Sequence, residues 1–425
     1  LPEDIQLARQ LLDLYILNGD IEPALALCEE LRRFTRTDPE LWFQYLIEKI
    51  PDGQQAALME YLEDFLQEHP HAAAMYYTTL GSLYIEQEKI PDAQRILQKA
   101  RAVHPENSRI KTASGYLHLQ QEQYEEAYRA FRQVQTGPTN PEWVSNPLFA
   151  FNFVLAAQQT GRIEKAADAL SAAYENDPGI LTLYLRMLSS GKPPVSAESA
   201  TDLLQRFHER SPDAIHALYY LSYLLAEQKQ YEDALHHAKR FEEQAAGTTG
   251  TNLLDGAFYY QYAALHERTG TLVDAEPLFR KAIELGPDSV AAAAQNYMAY
   301  MWAERGDKLD TALGLIQKAL AVEPENAAFI DTLGWIYYMQ GRYEEALVQL
   351  KKASELIQDD PEVWEHLGDT YLKLGDRGCA IRKWEKGLQA DPDHQPLIER
   401  LKETGISTNG YPAPKDSPAD TPSRP

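Results

Sequence analysis

A small residue returns about every 34 positions along this chain, at Ala24, Ala93, Ala127, Ala166, Ala200, Ala234, Ala275, Ala312, Ala346 and Ala380, with Leu58 in the one gap. The successive spacings are 34, 35, 34, 39, 34, 34, 41, 37, 34 and 34. A period of that length marks a stack of supersecondary units, each of which packs only on its neighbours. Such a chain grows by adding units and not by enlarging one core, so 425 residues do not require several globular domains. In most copies a bulky apolar residue stands four places on, as Leu97, Phe131, Leu170, Leu204, Phe279, Ile316, Leu350 and Trp384 do. That spacing puts the pair on one helix face.

The punctuation around each copy describes two helices and a turn. Gly19, Gly161, Gly270 and Gly341 fall where a left-handed residue would end the first helix. Pro70, Pro105, Pro178, Pro212, Pro287, Pro324 and Pro392 fall where the second helix must stop. Gly81, Gly115, Gly334 and Gly368 allow the first helix to approach its neighbours, and Tyr84, Tyr337 and Tyr371 fill the space so opened. No run of alternating β-branched residues breaks this pattern, so the fold class is all-α. The excess spacing maps to insertions at 136–147 and 245–255 and to a longer turn, Gly306-Asp307-Lys308-Leu309-Asp310; another altered turn reads Gly191-Lys192-Pro193-Pro194. Residues 394–404 read as a closing helix, in which Glu399, Arg400, Lys402 and Glu403 cover the end of the stack. Residues 406–425 turn to Pro, Ser, Asp and Thr and read as a disordered tail.

The copy through Trp364, Leu367, Gly368, Tyr371, Gly375, Ala380, Trp384 and Pro392, and the one before it through Leu333, Gly334, Tyr337, Gly341 and Ala346, resemble the tetratricopeptide repeat. The resemblance implies a right-handed α-solenoid of about eleven helix pairs plus a C-terminal capping helix. It places a single superhelix over 1–405, with units near 3–36, 39–70, 73–105, 108–139, 147–178, 179–212, 215–246, 256–287, 291–324, 327–360 and 361–392 and a cap at 394–404. The last three units, through Asn296-Tyr297-Met298, Asp331-Thr332-Leu333-Gly334-Trp335 and His366-Leu367-Gly368-Asp369, resemble those of many-repeat adaptors of bacterial envelopes, often lipoproteins. That implies a periplasmic or outer-membrane-associated protein, with the cytoplasm as the alternative and with room for a lipid anchor upstream of Leu1.

Charge narrows the partners. Forty basic residues against 64 acidic ones give a net charge of −24, so neither nucleic acid nor an anionic membrane surface finds its electrostatic basis. No apolar run approaches the roughly 20 residues of a membrane-spanning helix. Cys28 and Cys379, in the first and last units, read as buried free thiols. There is no phosphate-cradling glycine loop, no paired Cys at zinc spacing and no nucleophile elbow. His236 with His237, and His69 with His71, lack a third ligand in the sequence, so no metal, cofactor or enzymatic activity is expected.

In the tetratricopeptide family the first helix of each unit lines a concave groove. The corresponding face here carries Tyr219, Tyr223, Tyr260, Asn296, Tyr300, Asp331, Trp335, Tyr338, Glu365 and Asp369. Within a unit these stand three or four apart and share a face, and rigid aromatics in such a row suit capture of a protein or peptide. The family's carboxylate clamp for chaperone tails uses Lys, Asn and Arg at these positions, whereas the acidic groups here would repel that ligand. Basic groups of a partner should be welcome near Asp331, Glu365 and Asp369. The expected function is a non-enzymatic interaction scaffold, such as an adaptor for an envelope protease or assembly machine. The alternatives are the repeat portion of a larger enzyme and a structural self-assembly subunit.

Overall fold

The computed structural model describes residues 5–34, 41–51, 55–135, 146–191, 194–247 and 253–404. All regular structure among them is helical, and it forms eleven helix pairs and a closing helix. In order these are α1 (Ile5–Asn18) and α2 (Ile21–Phe34), α3 (Leu41–Lys49) and α4 (Gln55–Glu68), α5 (Ala74–Glu86) and α6 (Ile90–Val103), α7 (Ser108–Gln120) and α8 (Tyr124–Gln135), α9 (Pro147–Gln159) and α10 (Ile163–Asn176), and α11 (Gly179–Ser190) and α12 (Ala197–Arg210). They continue as α13 (His216–Glu227) and α14 (Tyr231–Ala245), α15 (Gly256–Arg268) and α16 (Leu272–Leu285), α17 (Asp288–Glu304) and α18 (Leu309–Val322), α19 (Ala327–Met339) and α20 (Tyr343–Leu356), and α21 (Pro361–Lys373) and α22 (Arg377–Ala390), closed by α23 (Gln395–Glu403). The chain divides into two compact units, one through Ala217 and one from Leu218 onward. Most of the two insertions, the Lys192-Pro193 step and the tail lie outside the described residues.

The recurring small residue is the centre of the packing. Every copy, from Ala24 through Leu58 to Ala380, is buried. The bulky residue four places on meets the glycine of the first helix: a Cβ on Gly334 would stand 2.6 Å from Leu350 Cγ, and one on Gly368 would overlap the Trp384 indole. Glycine is therefore required at both close approaches. Helix starts follow local chemistry. Asn326 Oδ1 accepts from the Ala328 and Phe329 N–H groups ahead of α19, and Asp360 accepts from Glu362 N ahead of α21, which opens on Pro361.

Wherever it is described, the turn between the paired helices other than α3 and α4 uses a left-handed residue. Glycine supplies it at Gly19, Gly161, Gly191, Gly270, Gly341 and Gly375, but Glu88, Glu122 and Lys229 supply it at φ 57°, 56° and 59°. The longer turn before α18 contains two such residues, Gly306 and Lys308. A side chain in that region carries strain, so in these units tertiary packing overrides the local preference.

Arg400 of the closing helix turns inward onto α21, where it pairs with Glu365 and Asp369. One sequence expectation needs correction. Cys28 is buried, whereas Cys379 is only half-buried and takes a 2.8 Å contact from Arg382 Nη2.

Candidate partner-binding surface

The second unit carries all ten residues of the expected groove face, and it treats them in two ways. At its start, α13, α15 and α17 enclose a cleft of about 380 Å³. Tyr223, with 43% of its surface exposed, forms one wall and Tyr260 the other. Ala226 and Ala264, three and four places beyond these tyrosines, are small and line the same cleft, so the helix spacing is not filled from within. Leu265 and Tyr297 complete the apolar lining, and the Arg268 guanidinium lies 5.7 Å from the Tyr231 ring at the rim. Tyr219, although on the same helix as Tyr223, is half-buried between Phe241 and Phe258, with ring centroids 5.5 and 6.3 Å away, and packs the seam between units.

Beyond Tyr297 the face closes. Asn296 is buried, and its Oδ1 has no hydrogen-bond partner among the described residues; with Tyr300, Asp331 and Thr332 it lines a recess of about 30 Å³. Tyr297 borders both this recess and the cleft. Asp331 is buried and accepts from His366 Nδ1 at 2.9 Å. Trp335 is buried as well, stacked between Tyr338 at 4.5 Å and the His366 ring at 4.1 Å, and its indole N–H donates to Glu304 Oε1 at 2.6 Å. Glu365 meets His394 and Arg400, each at 2.8 Å, and Asp369 takes both forks of Arg400 at 2.6 Å together with the Trp384 N–H at 3.0 Å.

A common pattern underlies these contacts. In each case a later first helix, or the closing helix, donates to a carboxylate of the first helix before it: Tyr297 to Glu267, Trp335 to Glu304, His366 to Asp331, and Arg400 to Asp369. The acidic groups of the face are thereby satisfied inside the chain. Burial alone would push the His366 imidazole down, but the charge and hydrogen bond of Asp331, followed by Glu365 and Glu304, push it up to about 9. That shift favours the protonated imidazole of His366 at neutral pH. Burial likewise acts to raise Glu365, while His394 and Arg400 outweigh it and hold the carboxyl below its usual range.

The expectation that Asp331, Glu365 and Asp369 would receive a partner's basic groups is thus corrected, because His366, His394 and Arg400 already occupy them. The structure brings Tyr223 and Tyr260 into one cleft and Tyr300, Asn296 and Asp331 into the adjoining recess. It assigns Trp335, Tyr338, Glu365 and Asp369 to the closed part of the row. Sequence reasoning missed Ala226, Ala264 and Tyr297 in the cleft and His366, Arg400 and Glu304 in the network. The available signal for the network was polar pairing across 31 or 35 residues, close to one repeat. Among the described residues no group of three or more His, Cys, Asp or Glu is placed to hold a metal ion, and no helix is long and apolar enough to cross a membrane.

Helix pairs repeated at this spacing, with an open cleft on their first helices, define an α-helical repeat scaffold. Models of the tetratricopeptide repeat match residues 78–141, 187–249 and 334–375. The chain is a tetratricopeptide-repeat protein, and its repeats mark it as a protein–protein interaction scaffold. It is similar to the TPR repeat-containing protein PA4667 of Pseudomonas aeruginosa, with 29% identity over 59% of this chain and 35% of that one. It is also similar to the type IV pilus assembly protein PilF of the same organism, with 32% identity over 33% of this chain and 55% of that one. The TPR repeat-containing protein YpiA of Bacillus subtilis aligns over 94% of this chain and 90% of its own length at 21% identity. The chain spans about a third and about half the length of the first two relatives.

Proposed function

We propose that this chain is a non-enzymatic adaptor that holds an apolar or aromatic protein segment in the cleft between α13, α15 and α17. The observation that carries the proposal is the contrast in exposure along one helix row: Tyr223 remains 43% exposed beside a 380 Å³ opening while its counterparts farther on are turned inward. A tyrosine offers a large contact area at small entropic cost, and the alanines beneath leave room for an inserted side chain. Binding of acidic chaperone tails through a carboxylate clamp does not fit this face, because its His366 and Arg400 cations are already bound to carboxylates of the chain itself.

Placement in a bacterial envelope assembly is supported by the similarity to a type IV pilus assembly protein and by the resemblance of the last three units to envelope adaptors. The cleft is tested by placing a photo-crosslinking residue at position 223 or, as a control of similar exposure on a second helix, at 322, in the full chain exposed to an extract of its own organism. The proposal expects a discrete adduct from position 223 that Tyr260→Ala suppresses. Adducts of equal yield from both positions, or one indifferent to Tyr260→Ala, would contradict it.

A further inference from the structure

The strongest charge feature outside the groove lies on the second helices near the C-terminus. Trp364 and Tyr371 stand seven positions apart on one face of α21. Lys383 and Lys386 reach over the Trp364 ring from α22, with Nζ 5.1 and 4.4 Å from its centroid, and Lys351 reaches over the Tyr371 ring from α20 at 5.6 Å. Arg382 adjoins them, and Lys352 follows Lys351 on the exposed side of α20. Among the described residues none of these cations forms a direct ion pair with a carboxylate; Arg382 contacts Cys379 Sγ, and, after the hydrogen bonds from Cys379, its charge helps hold the Asp376 carboxyl below its ordinary range from farther off. The groups also repel one another: burial first, and then Lys386, Lys351 and Arg382, push the Lys383 ammonium below its ordinary pKa.

A cationic cluster without a direct ion pair is unusual on a chain of net charge −24. Elsewhere many basic residues are bound to acids, as Arg162 is to Glu125 and Lys308 is to Glu276. Cation–π contact holds the lysine stems along the rings, so part of the ordering needed for binding is already in place. Val348, 63% exposed one turn before Lys351 and Lys352, adds an apolar contact at the edge.

We propose that the surface formed by Lys351, Arg382, Lys383 and Lys386 docks a short acidic segment of a partner protein, on a face separate from the aromatic cleft. A short segment is favoured over a nucleic acid or a bilayer by size. Those extend far beyond one patch, and their remaining charge would meet the acidic surface around it, whereas a few adjacent carboxylates meet only the cations. The cluster comes from two helices about one repeat apart, so no basic run betrays it in the sequence.

The test is a titration of the full chain with a fluorescent ten-residue polyglutamate peptide, beside a polyglutamine control, at low and moderate salt. Saturable binding of polyglutamate alone is expected, weakening about tenfold from roughly 50 to 300 mM salt. The combined Lys351→Gln, Lys383→Gln, Lys386→Gln variant should lose at least about tenfold at low salt, while Tyr223→Ala with Tyr260→Ala should bind as wild type does. The substitutions replace exposed or half-buried groups, and an unchanged far-UV circular dichroism spectrum verifies that the variant folds. No binding of polyglutamate at low salt, or equal binding by the lysine variant, would overturn the proposal. Tighter, patch-dependent binding of duplex DNA or of vesicles rich in phosphatidylserine would also overturn it in favour of that surface.

Discussion

Along the first helices of the second unit, the stretch from α13 to α17 leaves Tyr223 beside an open cleft, whereas the stretch from α19 to α23 draws the equivalent positions inward. Both stretches follow the same repeat, so the repeat alone does not decide which side chains meet a partner. The following helix decides. His366 and Arg400 arrive one repeat later with the length and charge to close over Asp331 and Asp369, while α15 offers the small Ala264 where the cleft needs space. A residue on the groove face is thus available for binding only where its neighbour one unit on leaves it uncovered.

The comparison is broken most easily at its closed end. Trp335→Ala should remove a buried, doubly stacked indole and cost about 3–5 kcal/mol, read from the urea midpoint of the full chain. Tyr223→Ala should shift that midpoint by no more than about 0.5 kcal/mol, as expected of an exposed side chain. Equal costs at the two sites would erase the distinction between open and closed stretches.

Asp331→Ala should cost about 3 kcal/mol, because it leaves the His366 cation buried without its partner. The same pair gives a pH signature. The folded-state pKa of His366 is raised to about 9 from an ordinary 6.5, so its stabilisation is complete below about pH 6.5 and is lost as pH rises through about 9. The urea midpoint should therefore fall over that interval, and the His366-dependent part of the slope should vanish in His366→Gln. A wild-type profile that rose between those limits would contradict the assignment.

Arg400→Ala should have a smaller effect, about 1–3 kcal/mol, concentrated where the closing helix meets α21. Amide exchange should quicken in α21–α23 and remain unchanged in α13–α15. The smallest expected effect lies in the turns. The open end carries Lys229 in the left-handed region where the closed end carries Gly341 and Gly375. Lys229→Gly should stabilise by up to about 1 kcal/mol, and Gly341→Ala should destabilise by a similar amount.

The period of the small residue, with the prolines and turn glycines, made all eleven helix pairs and the closing helix legible in the sequence, since those signals are local and repeat. The turns at Glu88, Glu122 and Lys229 were not, because nothing about Glu or Lys announces a positive φ. On the binding face, periodicity identified which residues share a side of a helix but not which of them remain exposed. The fate of Trp335 depends on His366 and Glu304, in other units, and the cationic cluster depends on lysines of α20 and α22 meeting over α21. Those are tertiary contacts, and they enter the sequence only as pairs of ordinary residues about one repeat apart.

On the proposed function the open stretch, and not the closed one, receives a protein segment. The most direct measurement is the affinity of the partner cross-linked at position 223, titrated against wild type, Tyr223→Ala with Tyr260→Ala, and Tyr338→Phe. The cleft variant should lose about 2 kcal/mol or more of binding free energy, while Tyr338→Phe, in the closed stretch, should match wild type. Wild-type affinity in the cleft variant, with the loss appearing instead in Tyr338→Phe, would place the binding surface in the closed stretch and rule out the cleft.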